Sequence, residues 1–143
     1  MTTLPTTGAL IGLDLGTKTI GVAISDGTQM IASPVETIAR KKFKLDAERL
    51  LALIAEYNVV GIVLGLPRNM DGSEGPRCQS TRAFAKNVEA LTDAPITFWD
   101  ERLSTAAVDR MLIEADATRK RRGEVIDKMA ATYILQGFLD SRR

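Results

Sequence analysis

Two short apolar runs separated by a polar turn dominate the start of the chain. The runs cover residues 9–15 and 19–25, and residues 16–18 (Gly-Thr-Lys) lie between them. Apolar runs of this length, bounded by turn residues, are typical of paired β-strands. The pattern therefore predicts a β-hairpin. A third strand is predicted over residues 30–38, where Pro34 suits an edge strand or a bulge.

Helical and strand patterns alternate along the rest of the chain. Apolar residues at helical spacing predict helices, and short apolar runs that follow a helix predict buried strands. The predicted helices cover residues 45–57, 78–91, 104–114 and 123–139, and the predicted strands cover residues 59–64 and 95–99. The resulting order, β-β-β-α-β-α-β-α-α, predicts an α/β fold with a mixed sheet. A turn-rich loop is expected over residues 65–76, and a charged connection over residues 115–122.

The composition fits one ordinary domain and excludes several kinds of chemistry. The chain has 143 residues, of which 45% are hydrophobic and 26% charged, so we expect a single domain over residues 1–143. It has no histidine and one cysteine, Cys78, which excludes Ser-His-Asp and Cys-His centres, zinc sites with histidine ligands and an internal disulfide. No signal pattern or membrane-length apolar run is present, so a cytoplasmic protein without membrane contact is expected.

Three acidic residues occupy positions where an ionisable group is costly. Asp14 interrupts the first apolar strand, and Glu101 follows the end of the fifth strand, where α/β folds collect ligands. Asp127 falls on the apolar arc of the last helix, in line with Ala130 and Ile134. Each position alone is also compatible with a purely structural role.

Those structural roles differ for the three acids. Asp14 could begin the turn that follows its strand, because aspartate favours turns. Negative charge is favourable ahead of the N-terminus of a helix, and either Glu101 or Asp100 could supply it. Asp127 could lie at a surface edge and pair with a neighbouring basic residue.

Together the three acids indicate a metal centre. They belong to the first strand, the end of the last strand and a helix packed against the same sheet. Carboxylates brought together without compensation would repel one another, and a divalent cation relieves that repulsion. Oxygen ligands without histidine or cysteine select Mg²⁺ or Mn²⁺. Carboxylates that hold such ions are typical of phosphodiester hydrolysis.

Several basic and polar residues are candidate contacts for a phosphate backbone. The net charge of +1 does not decide the matter, because nucleic-acid binding depends on local patches. One basic cluster covers residues 40–44, and another leads into the helix of Asp127. The candidate substrate-binding residues are Lys18, Asn69, Arg102, Arg119, Lys120, Arg121 and Arg122. Turn formation, surface ion pairing or a solvated charge run explains these residues as well.

Four segments, in order along the whole chain, carry a resemblance to a known family. They are GLDLGTKTIGVAISD at residues 12–26, GIVLGLPRNMDGSEG at 61–75, WDERLSTAAVDRML at 99–112 and IDKMAATYILQGFLD at 126–140. The chain resembles the YqgF family, also called RuvX, whose members are Holliday-junction-resolvase-like proteins also described as ribosomal RNA precursor nucleases.

The resemblance implies a ribonuclease-H-like fold, a five-stranded mixed sheet flanked by helices. It implies catalytic, metal-binding acids at Asp14, Glu101 and Asp127, with Mg²⁺ or Mn²⁺ as cofactor. The implied activity is endonuclease cleavage at the 5′ end of the precursor of 16S ribosomal RNA. The partner would then be that precursor RNA or branched DNA, bound by a monomer or a homodimer.

Three alternatives remain open at the level of the sequence. A junction-resolving DNA endonuclease would use the same three acids. A non-catalytic module that binds RNA or the ribosome would keep the fold without the chemistry. The segment DLGTK at residues 14–18 also resembles the phosphate-binding hairpin of actin-like ATPases, although those proteins need two such domains.

Overall fold

A computed structural model describes residues 4–103 and 119–142, and the side chains of the second range from residue 129 onward. Residues 101–103 form a short 3-10 turn after the last strand. The strands are β1 (Ala9–Leu15), β2 (Thr19–Ser25), β3 (Ala32–Ala39), β4 (Val59–Leu66) and β5 (Ile96–Asp100), and the helices are α1 (Phe43–Glu56), α2 (Pro76–Glu89) and α3 (Arg119–Ser141).

The five strands form one mixed sheet in the order β3-β2-β1-β4-β5. The first three strands are antiparallel neighbours, whereas β1, β4 and β5 run parallel. This arrangement confirms the predicted α/β fold with a mixed sheet. The parallel strands end together at Leu15, Leu66 and Asp100, and we call this side of the sheet the carboxyl edge.

Alternate side chains of the central strand enter two separate cores. Ile11 and Leu13 are fully buried in a cluster that also contains Leu50 of α1 and Phe84 of α2. Leu10 is fully buried in a second cluster with residues of α3. The two faces of the sheet are therefore covered by different helices, α1 and α2 on one side and α3 on the other.

Helix α3 lies directly against the backbone of β1 at Gly12. A Cβ atom at this position would lie 2.7 Å from the Cβ atom of Leu135 and 3.1 Å from the carbonyl oxygen of Ala131. Neither neighbour can move without shifting the helix itself. The absence of a side chain at Gly12 thus permits the close packing of helix and strand.

Contacts in the C-terminal half of α3 fix the direction of the helix. Arg142 donates a hydrogen bond to the carbonyl of Leu4, just ahead of β1, at 2.8 Å. Gln136 accepts from the amide of Ala32 at 2.8 Å and donates to the carbonyl of Met30 at 3.0 Å. The helix therefore runs opposite to β1, and its first half lies toward the carboxyl edge.

The structure corrects the predicted boundaries in two informative places. Strand β3 begins at Ala32 and not at residue 30, because the amides of Met30 and Ile31 donate to the Asp26 carboxylate at 2.8 and 3.0 Å. Strand β4 continues to Leu66, since its last residues pair with β5.

The last helix also begins earlier than predicted. It starts at Arg119, so the basic cluster predicted to lie in a connection forms the first turn of α3. Arginine and lysine are good helix formers, and the helix tolerates Gly123 in its interior. The helix predicted over residues 104–114 lies outside the described residues. Among the described helices, none has the length and apolar character needed to cross a bilayer.

The packing at Gly12 generates a stability prediction. Gly12→Ala should destabilise the fold by about 1–3 kcal/mol, because the added methyl group meets the helix backbone and a buried side chain. Urea denaturation measures the change. Gly27→Ala is the matched control, since a Cβ atom there has no neighbour within 4 Å. Its effect should stay within about 0.5 kcal/mol. Equal effects of the two substitutions would contradict this account.

Candidate active site

Asp14 lies near the end of β1, on the face of the sheet that α3 covers. Side chains alternate along a strand, so Asp14 lies on the same face as Gly12, against which α3 packs. Only 4% of the surface of Asp14 is exposed. The sequence therefore placed this carboxylate correctly, within a buried part of the central strand and not in an exposed turn.

Glu101 reaches the same face from the end of β5. Its Oε1 atom lies 3.0 Å, and its Cγ atom 3.3 Å, from the position of a Cβ atom at Gly65. That Cβ position would also meet the side chain of Ile134, so it lies on the α3 face. Glu101 thus folds back over the end of β4 and is half-buried there.

The strand register brings these two acids together. Leu13 of β1 pairs with Leu64 of β4, and the next residues along the two parallel strands are Asp14 and Gly65. Neighbouring strands lie about 4.8 Å apart. Asp14 and the carboxylate of Glu101 therefore occupy adjacent places at the carboxyl edge, on one face of the sheet.

The third predicted acid, Asp127, belongs to α3. Its backbone lies one helical turn before Ala131, which packs on Gly12, and on the side toward the carboxyl edge. Its side chain lies outside the described set. Among the side chains that the structure describes, no three acidic or cysteine groups form a metal site. The described part of the candidate site is thus the pair Asp14 and Glu101.

Asp100 has a different task from its neighbour Glu101. Its carboxylate accepts hydrogen bonds from the amide of Arg102 at 3.0 Å and from the Arg102 guanidinium at 2.7 Å. The Arg102 guanidinium holds the pKa of Asp100 below its usual value, and the same hydrogen bond raises the pKa of Arg102. Asp100 therefore supports the 3-10 turn, which leaves Glu101 to lie over Gly65.

Arg102 also connects this turn to the loop that follows β4. It donates to the carbonyl of Met70 at 3.3 Å, and its guanidinium lies against Gly72, whose φ is +89°. Within the loop, Asn69 donates from its backbone amide to the carbonyl of Ser73 at 2.9 Å and from its side chain to the Ser73 hydroxyl at 3.0 Å. The loop has a defined shape beside the acids.

Ion pairs tether the other end of this loop. Glu74 accepts two hydrogen bonds of 2.7 Å from Arg82 of α2, and it lies 3.5 Å from Arg68. The guanidinium of Arg82 lies 4.9 Å from the centroid of the Phe98 ring of β5. The loop is thus joined to α2, and α2 in turn contacts β5.

The remaining predicted contacts are spread around the carboxyl edge. Lys18 is exposed in the turn between β1 and β2, and its carbonyl accepts from the amide of Arg40 at 2.8 Å. Asn69 is exposed and contributes to the loop, as turn formation predicts. The backbone of residues 119–122 forms the first turn of α3, and their side chains lie outside the described set.

Two further arginines lie at this edge: Arg40, which the sequence offered only as part of the basic cluster at residues 40–44, and Arg77, which it did not single out. Arg40 donates to the carbonyl of Gly16 at 2.6 Å, and Arg77 donates to the carbonyl of Leu15 at 3.3 Å. Both therefore contact the turn that follows Asp14. The signal in the sequence for Arg77 is its place directly after a turn-rich loop and at the start of a helix.

The fold is shared with solved junction resolvases. It resembles RuvC of T. thermophilus, solved in complex with a Holliday junction substrate, with a TM-score of 0.59 and 10% identity over 94% of this chain and 95% of that one. It also resembles the yeast mitochondrial Holliday junction resolvase, with a TM-score of 0.57 and 11% identity over 96% of this chain and 80% of that one. The architecture is that of a RuvC-like, ribonuclease-H-like protein.

Comparison of sequences assigns the family. The sequence model of the RuvX family, described as "Holliday junction resolvase", matches residues 8–141. A protein of Ruegeria pomeroyi named "Putative pre-16S rRNA nuclease" is 67% identical over 98% of this chain and 91% of its own length. A protein of the same name from Paracoccus denitrificans is 66% identical over 98% of this chain and 89% of its own length. The chain belongs to the RuvX family and is a nuclease, so the predicted family, fold and enzyme class are confirmed.

The position of Glu101 over Gly65 generates a prediction for this nuclease. Gly65→Ala should displace the Glu101 carboxylate, because the new methyl group would lie 3.0 Å from Oε1. If Glu101 is a catalytic acid, the nuclease rate should fall by about 10²-fold, because a misplacement of about 1 Å can cost that much. Stability should fall less than for Gly12→Ala, since the other close neighbour is the flexible end of Ile134.

The control for Gly65→Ala is again Gly27→Ala, which adds the same methyl group in open space. Rates and urea midpoints of both variants should be measured together. Full activity of Gly65→Ala would mean that cleavage does not need the Glu101 carboxylate in its place over β4.

Proposed function

We propose that this chain is a divalent-metal-dependent endonuclease that processes the 5′ end of the 16S ribosomal RNA precursor in the cytoplasm. One observation carries the proposal. Asp14 and Glu101 present carboxylates at adjacent places on one face of the sheet, at the edge where three parallel strands end. Ligands bind at this edge in open α/β sheets.

The donor set at this edge fits a divalent cation. Asp14 is buried, and a buried carboxylate beside a second one is costly unless positive charge compensates it. Asp14, Glu101 and Asp127 would hold Mg²⁺ or Mn²⁺, both of which prefer oxygen ligands. When bound, such an ion activates water and stabilises the charge that develops on the phosphate oxygens.

The other residues would bind and orient the substrate. Lys18 is exposed in the turn next to Asp14, and Arg102 lies beside Glu101 while paired with Asp100. Both would contact phosphates close to the cut. Residues 119–122 begin the helix that carries Asp127, and their positive charges would attract the polyanionic backbone. Asn69 would act through the shape of its loop, which borders the same edge.

Relatives that cover nearly the whole chain favour RNA as the substrate. Their names describe nucleases of pre-16S ribosomal RNA, and the identity of 67% extends over 98% of this chain. The second candidate is a junction-resolving DNA endonuclease, favoured by the description of the family and by the fold shared with RuvC. That activity would need a homodimer to cut two strands, whereas RNA processing can be carried out by a monomer.

The first prediction from this proposal concerns Asp14. Wild-type protein should cut a labelled precursor RNA fragment in Mg²⁺ or Mn²⁺ and not in EDTA, and Asp14→Asn should be inactive. Its Tm without metal should equal or exceed that of the wild type, because one of two neighbouring negative charges is removed. A gel assay and thermal denaturation measure the two effects.

The control for Asp14→Asn is Asp93→Asn, which changes an exposed acid on the loop between α2 and β5. A four-way DNA junction is tested in parallel. Cleavage of the junction alone would move the substrate to DNA. Tight RNA binding that survives in Asp14→Asn, with no cleavage by the wild type in any metal, would favour a binding module.

A second prediction concerns metal binding without cleavage. Mn²⁺ should raise the Tm of the wild type more than that of Asp14→Asn or Glu101→Gln, because a ligand stabilises the native state that binds it. At a concentration of 100 times the dissociation constant the stabilisation is about 2.7 kcal/mol. Calorimetry at several Mn²⁺ concentrations measures it. Identical shifts in all three proteins would exclude these two acids as ligands.

A further inference from the structure

A small cavity opens at the carboxyl edge, on the face of the sheet opposite to the two acids. Its volume is about 130 Å³, several times the roughly 30 Å³ that one water occupies in the liquid. Six residues provide its polar lining, and we call the cavity the arginine pocket. They are Gly16, Thr17, Arg40, Arg77, Ser80 and Thr81.

Three separate parts of the chain build this pocket. Gly16 and Thr17 form the turn after β1, Arg40 follows the end of β3, and Arg77 lies in the first turn of α2. The two arginines are fixed by the hydrogen bonds they donate to the carbonyls of Gly16 and Leu15. The pocket is therefore an ordered arrangement and not a chance approach of flexible side chains.

The electrostatics of the pocket favour an anion. Within the described residues, no carboxylate forms an ion pair with Arg40 or Arg77. Each guanidinium carries five N–H groups, and one of them serves the carbonyl contact. The hydroxyl groups of Thr17 and Ser80 add further donors at the rim. Planar guanidinium groups suit phosphate oxygens in particular.

The position of the pocket relates it to the acids. Leu15 and Gly16 of the pocket follow Asp14 directly in the chain, but alternate residues of a strand lie on opposite faces. A nucleic-acid strand that crosses the carboxyl edge would therefore place one phosphate at Asp14 and Glu101 and a nearby phosphate at the arginines.

We propose that the arginine pocket binds a backbone phosphate of the substrate close to the scissile one, and so positions the strand across the acids. This inference rests on the proposed endonuclease function, because it takes the same nucleic acid as the ligand. The pocket would contribute affinity and alignment without sequence preference, since phosphate contacts position a strand and bases specify it.

The test uses Arg77→Gln, because Arg77 is exposed and its loss leaves the buried core untouched. Binding to a single-stranded precursor RNA fragment is measured in EDTA, where no cleavage occurs. Affinity should fall about tenfold or more, the effect of one lost charge-assisted hydrogen bond of about 1.5 kcal/mol. The slope of log K against log salt should fall by about 0.7, and Arg77→Lys should retain the wild-type slope.

A small substrate separates this pocket from the acids. Bis(p-nitrophenyl) phosphate is a phosphodiester too short to span both places, so Arg77→Gln should reduce its metal-dependent hydrolysis less than it reduces cleavage of the long RNA. Cleavage of the long RNA by Arg77→Gln should fall in proportion to its affinity. Lys86→Gln is the matched control, since it removes one exposed positive charge from the same helix.

The outcomes distinguish the two proposals. Equal RNA affinity of Arg77→Gln and Lys86→Gln would overturn the pocket as a phosphate site. A parallel loss of Tm and of small-substrate hydrolysis in Arg77→Gln would overturn it too, because Arg77 would then support the fold. If Arg77→Gln binds RNA more weakly than the wild type, and the wild type hydrolyses nothing in any metal, the results would support the pocket as a phosphate site and reject the endonuclease function.

Discussion

The close contact between α3 and the central strand at Gly12 sets the geometry of the candidate site. Because no side chain separates them, the helix backbone lies on β1 itself, with the Ala131 carbonyl 3.1 Å from the Cβ position of Gly12. Asp14 is two residues further along the same face. The backbone of Asp127 lies one helical turn before Ala131, and so it too is displaced from this contact toward the carboxyl edge. One backbone contact therefore places two elements that carry acids side by side.

At the carboxyl edge, the charged residues that follow β5 have different roles. Asp100 and Arg102 neutralise one another and hold the 3-10 turn, and the same arginine anchors the loop after β4. Glu101, between them in the chain, then lies over Gly65. The structure thus separates two adjacent acids into a structural one and one that lies beside Asp14, which the sequence left open.

Local patterns account for most of the fold. Strands β1 and β2 have the bounds that the two apolar runs predict, and Asp14 was recognisable because a charged residue in such a run is unusual. The predicted start of β3 was wrong because the Asp26 carboxylate accepts hydrogen bonds from the backbone amides of Met30 and Ile31. The contact at Gly12 could not be predicted, since it depends on which helix covers which face.

The arginines illustrate the same limit for the site. Residues 16, 40 and 77 are far apart in the chain and come together because β1 and β3 end, and α2 begins, at one edge. A search for runs of charge finds residues 40–44 and 119–122 but misses a pair made by the fold.

At the carboxyl edge, the acids Asp14 and Glu101 lie under α3, and the arginines of the pocket lie on the opposite face beside α2. A net charge of +1 hides this separation. A polyanion meets repulsion at Asp14 and Glu101 themselves unless a cation is bound there, whereas Arg40 and Arg77 attract it with or without a metal. Binding of a nucleic acid would therefore not require the metal, whereas placement of a phosphate at the acids would. The groups that hold the strand are in this way separate from the groups that cut it.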